Sequence, residues 1–183
     1  MKYIFYTFLS LIILASCKTN KDYLSRSDND NTLFDAIKTL KKHNTDTTAL
    51  QALPVLYNLA QQRNLRKINS YSSSRELSRW DKMINAYSTL QEMYNAIVEN
   101  DAASRVVTPV NYQQTLYDLK HEAAADYYTA ATVFLNKPGR ADAKQAYNYF
   151  KKADKLVPGY EDAKLKMDEA YAHAIVNVVI KPV

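Results

Sequence analysis

Apolar positions recur along most of this chain at intervals of three and four residues, the spacing that puts side chains on one face of an α-helix. Phe34, Ile37 and Leu40 form the first such stripe. Thr32 and Asp35 have the spacing of a capping box, so the helix is predicted to open near Thr32, and Lys41, Lys42 and His43 suit its negative end. After the polar run 44–47, Thr48 and Gln51 repeat the capping pattern. Leu50, Leu53, Tyr57 and Ala60 line a second helix that should end near Lys67. Pro54 lies inside it and cannot donate to the carbonyl of Leu50, which predicts a kink or a late start.

Ser72, Ser73 and Ser74 with Glu76 start a long helix over residues 74–99, lined by Leu77, Trp80, Ile84, Tyr87, Leu90, Tyr94 and Ile97. Its length would be about 39 Å at the helical rise per residue. Thr108-Pro109 has the form of an N-cap followed by a first-turn proline. The helix it would open carries Tyr112, Leu116, Leu119, Ala123, Tyr127, Ala130, Ala131 and Phe134 on one face and ends near Asn136. Ala143, Ala146, Tyr147, Phe150, Ala153 and Leu156 line the next, and Ala163, Met167, Ala170, Tyr171, Ala174 and Val178 the last. The chain has only two glycines, and both stand in the Pro138-Gly139 and Pro158-Gly159 turns between helices. So few turn residues disfavour a β-sandwich or barrel, and the pattern predicts an all-α fold of about six helices in antiparallel hairpins over residues 32–178.

Part of this pattern resembles a tetratricopeptide repeat. Tyr127, Ala130, Ala131 and Phe134 fall at the aromatic, large, small and aromatic positions of its first helix, and Ala146, Phe150, Ala153 and Pro158 at those of its second helix and exit turn. Ala131 replaces the usual glycine, Ala130 is small for its position, and Lys137-Pro138-Gly139 lengthens the gap between the helices by about three residues. Trp80, Met83, Ile84 and Tyr87 resemble the same first helix, with Ile84 too bulky for its place. Such hairpins cannot bury their apolar faces alone and must stack. The resemblance implies a concave groove that receives a peptide or another protein.

Upstream of the helices the pattern changes. Lys2 precedes an apolar run from Tyr3 to Ala15 broken only by Thr7 and Ser10, the arrangement of a secretory signal and too short for a bilayer span of roughly 20 residues. Leu14-Ala15-Ser16-Cys17 resembles a bacterial lipobox, which implies a cleaved signal over residues 1–16, scission between Ser16 and Cys17, and lipid on the Cys17 thiol. Cys17 is the only cysteine, so no disulfide can form within the chain. Residues 17–31 are polar and read as a flexible tether. Lys18 follows the cysteine, where the Asp that retains many proteobacterial lipoproteins in the inner membrane is absent, so the resemblance favours the outer membrane. Lys18-Thr19-Asn20-Lys21-Asp22 departs from the Lys-then-acidic surface signal of Bacteroidetes lipoproteins, which favours the periplasmic face over the cell surface. At the other end, residues 174–183 are apolar, β-branched and without a polar tail. They read as the last helix running out, or, over 179–183, as the start of a further segment.

Composition narrows the functional classes. The formal charge of +5 is scattered, densest at Lys38, Lys41 and Lys42, at Arg63, Arg66 and Lys67, and at Lys151, Lys152 and Lys155. These read as solvated helix faces or as contacts for anionic lipid or glycan, and an exported chain has no access to nucleic acid. Tyrosine is abundant, at 15 residues, and suits boundary packing first and binding grooves second. His121-Glu122 opens like a zinc motif, but Ala125 stands where the second histidine is needed. With two glycines there is neither a phosphate loop nor a nucleophile elbow. The sequence therefore points to no catalytic residue, metal or cofactor. The leading expectation is a non-catalytic adaptor held in the cell envelope by its lipid and binding an envelope protein. The alternative is a lipoprotein that stacks glycan or cell-wall fragments on Tyr and Trp rings, and an enzyme comes third.

Overall fold

The computed structural model describes residues 22–175. The signal segment, Ser16, Cys17, the first part of the expected tether and residues 176–183, Val178 among them, lie outside the described residues. Those described are all-α, with seven helices: α1 Asn29–Lys42, α2 Thr47–Ser72, α3 Ser78–Val98, α4 Asp101–Ser104, α5 Gln113–Leu135, α6 Arg140–Leu156 and α7 Ala163–Ala174. Among the described residues no helix is long and apolar enough to cross a membrane. The contacts divide the chain into two compact units, where the sequence pattern suggested one domain over 32–178. One unit holds residues 22–60 with 95–109, the other 61–94 with 110–175.

In the first unit α1 starts earlier than its apolar stripe. Asp28 is its N-cap, with a side chain that accepts from the Asn31 amide, and Thr32 is buried inside the first turn with its hydroxyl on the Asp28 carbonyl. The Thr32–Asp35 capping box is therefore not formed. Residues 22–31, expected as tether, belong to the folded unit. The Tyr23 ring is 1% exposed and its hydroxyl donates to Thr39 Oγ1 at 2.8 Å, while Asp22 accepts from the amides of Leu24 and Ser25. One buried aromatic outweighs the polar composition around it, because its burial is worth about 1.5–3 kcal/mol.

Leu33, Ala36, Ile37 and Leu40 are the buried face of α1, which packs against α4. The sequence pattern did not anticipate α4. Its N-cap Asn100 accepts from the Ala102 and Ala103 amides at 3.1 and 3.0 Å and donates to the Ile37 carbonyl at 3.3 Å, so one buried amide caps one helix and ties it to another. Asp46, rather than the Thr48–Gln51 pair, opens α2 by accepting from Ala49 at 2.9 Å. Pro54 sits in the interior of α2, which neither starts late nor ends at Lys67.

In the second unit α3 begins at Ser78, because 73–77 form a turn in which Ser74 Oγ accepts from Glu76. Thr108-Pro109 opens no helix. Residues 107–112 have no regular secondary structure and α5 starts at Gln113, with the Tyr112 amide donating to Gln91 Oε1 at 2.7 Å and its hydroxyl accepting from Gln61 Nε2 at 3.0 Å. α5 packs on α6 and α6 on α7 through the short connections 136–139 and 157–162, so the three run antiparallel. The second connection depends on Gly159 at φ +76°, a left-handed conformation that glycine adopts without a Cβ penalty.

Fully buried Ala131, Ala146, Phe150, Ala163 and Ala170 form the core of this three-helix stack. Four alanines around one phenyl ring let the helix backbones approach closely. Phe134, Tyr128, Tyr147, Tyr149 and Met167 pack partly buried at its margin. α7 ends at Ala174 with Ile175 extended, short of the expected Val178.

Candidate functional site

The first turn of α3 presents Arg79, Trp80 and Asp81 in succession, and all three reach α5 or α6. Arg79 lies over the Trp80 ring at 4.5 Å and donates to Asp126 Oδ2 at 2.8 Å. Trp80 Nε1 donates to that same oxygen at 2.9 Å. Asp81 pairs with Lys152 of α6, whose ammonium also donates to the Tyr127 hydroxyl at 3.2 Å. The Tyr127 hydroxyl in turn donates to the Leu77 carbonyl at 3.1 Å. These bonds fasten the start of α3 to α5 and α6. Asp81 and Lys152 are each 44% exposed, so the pair contributes little alone, about 0–1 kcal/mol. Burial by itself lowers the Lys152 pKa, but its bonds to Asp81 and Tyr127 outweigh that and leave it above the ordinary lysine value. The ammonium therefore stays charged at neutral pH and is no candidate base.

Beside this clasp a groove of about 500 Å³ opens between α3, α5 and α6. Ile84 and Leu156 supply its apolar part, with Asn85 next to Ile84. Its charged groups are Asp81, Lys152, Lys120 and Lys155. It thus holds three cations and one carboxylate, with no histidine and no second acid.

A shallower, more open depression of about 330 Å³ is lined by Asn111, Gln113, Gln114 and Tyr117. The Tyr117 ring is 58% exposed and meets the His121 ring at 4.3 Å, tilted by 46°. Among the described residues no three His, Cys, Asp or Glu side chains come together as a metal site.

No family model, curated protein or solved structure matches the chain.

Of the residues singled out for packing, Ala131, Ala146 and Phe150 share one core cluster, with Phe134 half-buried against it. Tyr127 and Ala153 are also at most 1% exposed. Pro158 lies exposed in the turn after α6. Trp80 and Tyr87 belong to α3, the first in the clasp and the second in ring contact with Tyr112 at 5.6 Å. Trp80 is 7% exposed and covered by Arg79, so it offers no stacking face to a glycan. Most of the tyrosines serve ring-to-ring packing. Tyr127 and Phe134 meet Tyr149, and Tyr128 meets Phe150 and Tyr160, all at 5.3–5.8 Å.

Lys152 and Lys155 stood out in the sequence as a dense basic group. Lys120, Asp81 and Asp126 did not, since only the fold brings α3 and α5 to them.

Tyr128 donates a short hydrogen bond to the Asp162 carboxylate, and this bond, reinforced by burial, pushes its phenol up to about 12. The unfolded phenol titrates near 10. The folded state holds the proton more tightly, so the contribution is complete below pH 10 and is lost as pH rises towards 12. Urea midpoints of the wild type and Tyr128→Phe should therefore converge over pH 10–12 and stay separated by a constant gap below it. A gap that persists unchanged to pH 12 would contradict the assignment.

Proposed function

We propose that this chain is a membrane-anchored, tetratricopeptide-repeat-like lipoprotein acting as a non-catalytic protein–protein adaptor in the bacterial cell envelope. One observation carries the reading: a stack of helical hairpins with an open groove whose apolar part lies among charged side chains. Such a surface suits an extended peptide or helix, which brings its own apolar side chains and polar backbone. The lipobox at Cys17 supplies the anchor, and several buried acyl chains at about 0.8 kcal/mol per methylene hold it on the membrane. The outer membrane, on its periplasmic face, is the location the residues after Cys17 favour.

Crosslinking in intact envelopes, followed by recovery of the tagged full chain, is expected to yield a reproducible protein partner. Recovery of the chain alone across several crosslinker lengths would argue against the adaptor.

The glycan alternative keeps one specific observation in its favour, the exposed Tyr117 ring beside the Asn111, Gln113 and Gln114 amides. A flat ring with adjacent amides can stack and hydrogen-bond a sugar. Trp80 fluorescence would be a poor reporter there, because Trp80 lines neither depression.

A further inference from the structure

The lysines of the groove are unequally committed. Lys152 has its partners in Asp81 and Tyr127, so Asp81 is already neutralised. Lys120 and Lys155 line the same groove and have no ion-pair or hydrogen-bond partner among the described residues. Lys155 stands in the last turn of α6, where the helix dipole favours a cation, but Lys120 lies mid-helix in α5 and has no such support. Two unpaired cations gathered around one concave surface repel each other, and an anion between them would remove that repulsion. Leu156 lies half-buried at the same surface and Ile84, 8% exposed, lies beneath it, so a purely ionic ligand would leave the apolar area of Leu156 unused.

We infer that the groove receives an acidic peptide segment of a partner protein, with carboxylates on Lys120 and Lys155 and an apolar side chain against Ile84 and Leu156. This rests on the adaptor reading and names the chemistry of its partner. Asn85 offers an amide to the peptide backbone, and the Asp81–Lys152 pair, already mutually satisfied, walls one side of the groove.

The test is fluorescence anisotropy of the full chain in detergent with a fluorescein-labelled peptide of alternating Glu and Leu. The same peptide with Gln in place of Glu serves as comparator, and polygalacturonate as an anionic glycan. The Glu–Leu peptide should bind, about tenfold or more tightly than the Gln–Leu peptide. Lys120→Ala with Lys155→Ala should weaken it by about the same factor. Lys144→Ala with Lys164→Ala removes two exposed charges outside the groove and should leave binding intact. Circular dichroism melts of both double variants should match the wild type, since all four side chains lie at the surface.

Equal losses in the two double variants would overturn the site, as would equal binding of both peptides or no peptide binding. Polygalacturonate bound through Lys120 and Lys155 in the absence of peptide binding would overturn the peptide in favour of a glycan. A crosslinked envelope partner retained unchanged by Lys120→Ala with Lys155→Ala would leave the adaptor standing and remove this groove from it.

Discussion

Phe150→Ala should lower the unfolding free energy by about 3–5 kcal/mol, measured as a shift of the urea midpoint. Phe150 is fully buried, and its core neighbours Ala131, Ala146, Ala163 and Ala170 reach it only with methyl groups. A methyl has no rotamer that could swing into the space left by the ring, and the half-buried Tyr128 ring, edge-on to Phe150 at 5.3 Å, can fill it only in part. Part of the cavity would therefore persist, which keeps the loss within that range. Phe150→Leu keeps most of the volume and should cost less than half as much. A Phe150→Ala loss under about 1 kcal/mol would mean that the three helices can close over the gap, and that the stack is looser than its alanines imply.

Tyr127→Ala should be nearly as damaging, at about 3–4 kcal/mol, while Tyr127→Phe should lose about 1 kcal/mol. The ring is 1% exposed and meets Tyr149 at 5.6 Å, so truncation opens a hole between α5 and α6. The hydroxyl has the smaller task of donating to the Leu77 carbonyl and accepting from Lys152. Phenylalanine retains the packing and leaves that carbonyl with the Trp80 amide, at 3.1 Å, as its donor, so the loss stays small. Equal losses for the two substitutions would show that the clasp at the start of α3, not the ring, holds this corner together.

The helices were legible where apolar spacing and turn residues agreed. Pro138-Gly139 and Pro158-Gly159 bracket α6 to within a residue or two, and the stripe from Ala143 to Ala153 is its buried face. Helix starts were less legible, because capping residues are abundant and several positions qualify. Thr32, Thr48 and Thr108 each have a plausible cap pattern, yet Asp28, Asp46 and Tyr112 precede the helices. The choice is made by tertiary bonds such as Tyr112 to Gln91 and Gln61, which no local window contains. Tyr23 shows the same limit from the other side. Its neighbours compose a linker, and only its bond to Thr39 and its burial place it in the fold.

The candidate groove was half legible. Lys152 and Lys155 are a turn apart on one helix and visible as a pair. Lys120 and Asp81 lie 32 and 71 residues before Lys152, so they join it only through the packing of α5 and α3. Abundant tyrosine pointed both to packing and to binding. The ring contacts account for most of it as packing and leave Tyr117 as the exposed ring beside polar amides.

The most direct test of the account is metabolic labelling with a palmitate analogue in a bacterial host, comparing the full chain with Cys17→Ala. Label is expected on the wild type in the membrane fraction and none on Cys17→Ala, because the chain has no other cysteine. Equal labelling of both, or none on either, would contradict the lipid anchor on which the envelope adaptor depends.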